Sequence, residues 1–266
     1  MLEIKVLRVK ICLISKNNAL KECEQFLCSS VQHIIFTPNP EFLVKAYHDY
    51  YFTEVLNKSD LNLCDGKGIQ LVSTKKIERI PGVDFMLELC ALAEKEQKSV
   101  YILGALFTPQ GIQSEEIATK TQNILKQKFP KLKIAGWNKG PKISESEKGY
   151  KLRIEPEENE EVIKDIQDKK PDILFVAFGM GKQEKWIYEY LKRFPSVKIA
   201  MGVGGAFDFI SGIVPRAPLW MRKLGLEWLF RLFKQPQRIR RIWNATIVFP
   251  WLTIKESLKK KKNTVE

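Results

Sequence analysis

Four short apolar runs, each ending in a glycine or an Asn-Pro turn and followed by a helical pattern, restrict this chain more than any other feature. His33-Ile34-Ile35-Phe36 leads to Thr37-Pro38-Asn39-Pro40 and a helical stretch over residues 41–51. Ser99-Val100-Tyr101-Ile102-Leu103 leads to Gly104-Ala105, and Thr108-Pro109 signals the next helix start. Asp172-Ile173-Leu174-Phe175-Val176-Ala177 leads to Gly179-Met180-Gly181 and a helix near residues 183–194. Val197-Lys198-Ile199-Ala200-Met201 leads to Gly202-Val203-Gly204-Gly205. Buried strands that alternate with helices call for a mostly parallel sheet covered by helices. Ligands of such folds sit at the carboxyl ends of the strands.

A chain of 266 residues with 44% hydrophobic content has material for one sizeable core. Its charge divides it. From Arg216 onward thirteen basic residues face three acidic ones, so this tail carries +10 of the net +13 and the first 215 residues only +3. The expected fold is α/β: a mostly parallel, Rossmann-like sheet flanked by helices over residues 1–215, and a helical, basic, Trp-rich appendage over 216–266. Residues 141–161 are polar and charged and read as an exposed loop or insertion. Five cysteines without a CxxC spacing fit a reduced cytoplasm better than a disulfide framework. The N-terminus mixes charge through its apolar residues and reads as no secretory signal. No apolar run reaches the ~20 residues of a spanning helix. A membrane contact would therefore be peripheral.

Several constellations lie where the strands end. Asn39 before Pro40 suits a helix cap, and the Thr37 hydroxyl and Asn39 amide also suit orienting a sugar or a catalytic group. Asp65 precedes two glycines in CDGKGI; it is either a simple Asp-Gly turn or a general base. The two histidines are not placed as obvious bases, His33 opening a strand and His48 lying in a helix. Asp84 is expected to cap the apolar helix that follows RIPGVD, and Arg79 either pairs with Asp84 or reaches a phosphate. Gly179-Met180-Gly181-Lys182 lacks the full phosphate-loop pattern. Gln183 and Glu184 then either hydrogen-bond sugar hydroxyls or form a polar first helical turn. In GVGGAFD, Gly202, Gly204 and Gly205 let backbone N–H groups face a diphosphate, or simply allow tight strand–helix packing. Asp208 suits a ribose hydroxyl, a base edge or a first helical turn.

Arg231, Arg238 and Arg241 would share one face of a continuous helix, but Pro236 predicts two short helices meeting at a bend. Trp220, Trp228, Trp243 and Trp251 accompany them, the mixture found on helices at bilayer surfaces. Roughly 1 kcal/mol per basic residue near anionic lipid makes the tail's charge ample for peripheral binding. No nucleic-acid module is present. No Asp-x-Asp pair, HExxH or Cys/His cluster points to a metal, so the arginines are expected to supply positive charge.

In this order the segments TPNPEFLVKA, DGKGI, RIPGVDFM, ILGA, PDILFVAFGMGKQEKWI and GVGGAFDFISGIVPRAPLWMRKLGLEWLFRLFKQPQRIRR resemble the WecG/TagA/CpsF family of bacterial glycosyltransferases. The resemblance spans most of residues 37–241. It implies transfer of an N-acetylhexosamine, N-acetylmannosamine above all, from a UDP-sugar to N-acetylglucosamine on undecaprenyl diphosphate. The product would serve wall teichoic acid or another surface polysaccharide, and other members use a mannosaminuronic acid or different hexoses. Carried over by motif, Asp65 matches the proposed base, and Thr37 and Asn39 the site-lining pair. Arg79 and Gln183 match further site residues, and Asp208 a nucleotide contact. Gly104 falls in the ILGA segment beside the nucleotide. Arg231, Arg238 and Arg241 match arginines thought to close over the diphosphate, on an appendage that targets the membrane. Two departures stand out: Gly181 occupies a frequent proline position, and Gly140-Pro141 replaces a frequent Gly-Tyr.

The expectation is an inverting transfer without a cofactor, at the inner face of the bacterial plasma membrane. Contact with an anionic bilayer would bring the arginines to the site. The tail's apolar face is able to drive association between copies. Two other classes compete. A nucleotide-dependent oxidoreductase is disfavoured by the late GVGG turn without GxGxxG spacing. A non-catalytic membrane- or RNA-binding module would use the basic arm alone.

Overall fold

The computed structural model describes residues 2–104, 114–146, 151–234 and 236–265, with only the backbone given for 260–265. In chain order the strands are β1 (Glu3–Val6), β2 (Val9–Cys12), β3 (His33–Phe36), β4 (Leu61–Asn62), β5 (Ser99–Leu103), β6 (Lys133–Asn138), β7 (Ile143–Glu145), β8 (Leu152–Ile154), β9 (Ile173–Val176) and β10 (Ile199–Gly202). Six of them form one sheet in the order β4-β3-β10-β9-β5-β6, and every neighbouring pair is parallel.

The apolar runs are strands because both of their faces leave water. Along β9, Leu174 and Val176 enter one core while Ile173 and Phe175 enter the other. Along β5, Tyr101 and Leu103 are divided from Val100 and Ile102 in the same way. The first face is covered by helices Pro40–His48, Tyr50–Asn57, Pro156–Lys169 and Lys182–Tyr190. The second is covered by Lys16–Cys28, Gly82–Lys95, Ser114–Lys128 and Ala206–Ile210. Strand β10 lies between β3 and β9, yet its helix covers the second face while theirs cover the first. The chain thus leaves neighbouring strands in opposite directions, and such a divergence opens a crevice at the carboxyl edge.

Three sequence expectations are corrected. The helix over 41–51 is two helices, because Asp49 accepts the Phe52 N–H at 2.9 Å and starts a second one. Within residues 141–161 the described residues are not all loop: β7 and β8 pair antiparallel, and Pro156–Lys169 is a helix with Val162, Ile163 and Ile166 inward. Glu145 of β7 accepts hydrogen bonds from Lys45 at 2.5 Å and from the fully buried Lys185 at 2.9 Å. One charge in this polar stretch is therefore spent inward. Asp84 does not cap its helix; it lies within the first turn of Gly82–Lys95, after Pro81. The helix start at Thr108-Pro109 lies outside the described residues.

The appendage runs through helices Leu219–Leu224 and Glu227–Lys234, a tight turn at Pro236–Arg238, and helix Ile239–Trp243. The bend expected at Pro236 is present. A wide π-turn, Asn244–Val248, then leads into helix Phe249–Val265. Phe249 is fully buried and lies against Gly68 and Pro40, where a Cβ on Gly68 would stand 3.5 Å from the phenyl ring and 2.9 Å from the proline. Trp220, Trp243 and Trp251 stay more than half exposed, and Trp228 is 39% exposed.

Emptying this socket is expected to undock the tail. Phe249→Ala should cost about 3 kcal/mol, typical of a buried phenyl lost from a core. Amide exchange should accelerate across residues 239–259 and stay slow in β9 and β10. Equal protection in variant and parent would show that the socket does not hold the tail.

Candidate active site

The crevice is closed on one side by the appendage, leaving a cavity of about 490 Å3. Asn39 enters it from the loop after β3 and Glu41 from the helix that follows; Asp65 and Gly66 enter from the loop after β4, and Lys67 and Gly68 from the start of helix Lys67–Val72. Arg79 joins them, and the appendage contributes Trp228, Arg231, Arg238 and Arg241. Asn39 is the helix cap, and it also lines the cavity. Its Oδ1 accepts the Glu41 and Phe42 N–H groups at 2.9 and 3.2 Å, and this capped turn is a cavity wall.

Asp65 is held by two loops. Its N–H donates to the Pro38 carbonyl at 3.0 Å, and its Oδ2 accepts the Gly82 N–H, the first of a helix, at 3.1 Å. A Cβ on Gly82 would stand 2.7 Å from Thr37 Oγ1, so Thr37, Asp65 and Gly82 form one packed unit. Burial pushes the Asp65 carboxyl up to about 7, with the Glu227 carboxylate acting the same way. The Gly82 N–H and the charges of Arg231 and Arg79 oppose the shift. A carboxyl poised there can exchange a proton near neutrality, which general base work requires.

The arginines are crowded. Burial lowers the Arg238 guanidinium to about 10, and the neighbouring charges of Arg241 and Arg231 push it further the same way. Arg241 Nε meets Glu41 at 2.6 Å, Arg231 meets Glu227 at 3.2 Å and lies over the Phe209 ring. Arg238 has no ion-pair partner among the described residues. A concentrated positive site with an incomplete set of counter-charges suits an anion with several oxygens. Arginines expected to arrive with a bilayer thus already line the cavity in the chain alone. Glu41 and the Phe249 socket hold them there, together with a clasp at the root of the arm. In that clasp Asp84 pairs with Arg216 at 2.5 Å and Arg222 at 3.8 Å, and Arg79 Nη2 donates to the Arg222 carbonyl at 2.8 Å.

The glycine turn stands beside this cavity and does not line it. Gln183 Oε1 accepts the Gly204 N–H at 2.9 Å, and its Nε2 donates to Glu184 at 2.6 Å. The other Glu184 oxygen accepts the Gly181 N–H at 2.6 Å. Gln183 is thereby a staple between two loops, with one amide hydrogen left over. A Cβ on Gly202 would stand 2.8 Å from that amide, so a side chain there would displace the staple. Gly181 has φ +87°, which a proline ring cannot adopt. Asp208 is buried with its Oδ1 unpartnered among the described residues. Burial lifts its carboxyl to about 7, against the pull of Arg238 and Arg231. It therefore faces the arginine cluster from the side of the GVGG turn.

Of the sequence candidates, the structure gathers Asn39, Asp65, Arg79, Arg231, Arg238, Arg241 and Trp228 at one cavity, with Thr37 packed behind Asp65. Gln183, Gly202, Gly204, Gly205 and Asp208 do not line that cavity, nor does Gly104, which packs against Phe178 and Ala177. Glu41, Gly82 and the Asp84–Arg216 clasp carried no sequence signal beyond first-turn acids and a helix start. Among the described residues no group of three or more His, Cys, Asp or Glu is placed to hold a metal ion. Among the described residues no helix is long and apolar enough to cross a membrane.

The fold and crevice define a Rossmann-like α/β enzyme with a cationic cavity at the carboxyl edge of its sheet. Comparison with known proteins narrows that class. The chain belongs to the WecG/TagA/CpsF family of glycosyl transferases, whose family model matches residues 4–263. Three relatives share one name, N-acetylglucosaminyldiphosphoundecaprenol N-acetyl-beta-D-mannosaminyltransferase. The Bacillus subtilis (strain 168) protein is 31% identical over 90% of this chain and 85% of its own length. The Staphylococcus aureus (strain MRSA252) protein is 32% identical over 86% and 83%. That of Bacillus spizizenii (strain ATCC 23059 / NRRL B-14472 / W23) is 34% identical over 78% and 74%.

Asp65, Glu184 and Asp208 share a raised folded-state value of about 7. Unfolded carboxyls titrate near pH ~4. Between those values the folded chain holds more protons, so stability falls as pH rises through this window. Denaturant midpoints of Asp65→Asn/Asp208→Asn should depend less steeply on pH than those of the parent. Parallel curves would mean that these carboxyls are not shifted.

Proposed function

We propose that this glycosyltransferase moves N-acetylmannosamine from its UDP derivative to N-acetylglucosaminyl-diphosphoundecaprenol, for synthesis of a surface polymer such as wall teichoic acid. The observation that carries the reading is the half-buried Asp65 carboxyl in one cavity with Arg79, Arg231, Arg238 and Arg241. Such a site has a proton acceptor and a seat for a diphosphate within one ligand's length. Agreement with the shared name of the relatives supplies the sugars.

In the proposed single displacement, Asp65 takes the proton from the acceptor hydroxyl as its oxygen attacks the anomeric carbon. The bond to the UDP oxygen breaks on the opposite face, which inverts the centre. One Asp65 oxygen is occupied by the Gly82 N–H, so the other receives the proton. The GVGG turn and Asp208 would hold the nucleotide. The arginines would offset charge on the two diphosphates in place of a metal ion, the preorganised electrostatic contribution that commonly dominates such catalysis. The exposed tryptophans and the tail's charge would hold the protein on the anionic inner face of the membrane.

Replacing the base tests this directly. Asp65→Asn should lower kcat by about 100- to 10,000-fold while UDP affinity in calorimetry stays near that of the parent. A variant that keeps a tenth of the rate would remove Asp65 from the chemistry. Transfer by the parent should rise with pH on an acidic limb centred near the Asp65 value of about 7 and should persist in EDTA. A panel of UDP-sugars, with product mass and linkage determined, identifies the donor. Efficient use of a mannosaminuronic acid or another hexose in preference to N-acetylmannosamine would replace the sugar named here.

A further inference from the structure

The cavity changes character from floor to rim. Its floor is polar and withdrawn: the Asp65 carboxyl turns to a backbone N–H, and Arg238 is buried enough to lose basicity. Its rim carries Leu71, 77% exposed, Leu224, 59% exposed, and Trp228. These come from separate parts of the chain. Leu71 projects from helix Lys67–Val72 of the body, one turn after Lys67, while Leu224 ends the first helix of the appendage. Gly225, beside Leu224, abuts Lys67, where a Cβ would stand 2.9 Å from the lysine Cβ. The two leucines therefore flank one edge of the opening.

A scattered surface leucine needs no explanation. These three residues share a cavity lined by arginines, and that combination matches an amphiphile with a diphosphate head and a hydrocarbon tail. We propose that the polyprenyl chain of the acceptor leaves the cavity between Leu71 of the body and Leu224 and Trp228 of the appendage, so that this rim selects lipid-borne acceptors. The inference rests on the transfer reading above, because it assigns the part of the acceptor that the arginines do not hold. Continuity with the cationic cavity favours the acceptor's own tail over the bilayer at large. A tail emerging from the diphosphate seat must cross the rim before it reaches lipid.

The test compares two acceptors in detergent solution: N-acetylglucosamine diphosphate bearing an undecaprenyl chain, and the same head group on a short, water-soluble alkyl chain. The readout is the ratio of kcat/KM for the long chain to that for the short one. Leu71→Gln and Leu224→Gln should each reduce the ratio about tenfold, the usual scale for a lost hydrophobic contact, and should do so through KM. Leu219→Gln, on the same appendage helix and 65% exposed but outside the cavity lining, should leave the ratio unchanged. An unaltered ratio in the Leu71 variant overturns the proposal. If that variant instead loses binding to anionic vesicles at an unaltered ratio, the rim is a bilayer contact only. If the parent transfers to neither acceptor, the transfer reading fails, and this inference fails with it.

Discussion

Both faces of the central strands are out of water, and the rest of the molecule follows from that. Ile173, Leu174, Phe175 and Val176 are each fully buried, alternating between two cores. A strand sealed on both sides can be entered and left only at its ends. Because all six strands of the main sheet are parallel, every loop at one edge follows a strand terminus. Asn39, Asp65, Gln183 and the GVGG turn, far apart in sequence, are neighbours for this reason alone. The opposite directions taken after β10 and its two neighbours then keep that edge open.

What collects at the edge is electrostatically uncomfortable. Three carboxyls there are desolvated, and Arg241 and Arg231 stand close enough to lower Arg238 further. Isolated, each group would be better off in water. The strain is tolerated because the fold supplies fixed partners where it can, such as the Gly82 N–H for Asp65 and the Gly181 N–H for Glu184. Local violations of folding preference commonly concentrate where a protein does its work. The clasp at Asp84 and the pair at Glu41 show the opposite use of charge, joining the appendage to the body through side chains over a hundred residues apart.

The sheet was legible because its signal is short-range: an apolar run, a turn and a helical pattern. The bend at Pro236 was legible because proline acts on its own backbone. The pairing of β7 and β8 was not, since its strands are three residues long and its polar composition resembles that of a loop. Glu145 in particular looks solvated until Lys45 and Lys185 are brought to it by folding. Asp84 misled for a similar reason, as a competing arginine lies 132 residues away. Gln183 was singled out from its motif, but its use as a staple depends on Gly204, which only the sheet places beside it.

The helix that begins at Phe249 has a further consequence. Phe249 is sealed against the loop that carries Asp65, while Trp251, two residues later, is 56% exposed on the outside. One turn of helix thus spans from the Asp65 segment to the outer surface. If a ligand of the outer face and a ligand of the cavity both bind more tightly when Phe249 is seated, each must strengthen the other's binding. Occupancy and adhesion would then reinforce each other by the same factor. A protein that had found its anionic substrate would leave the surface more slowly than one that had not.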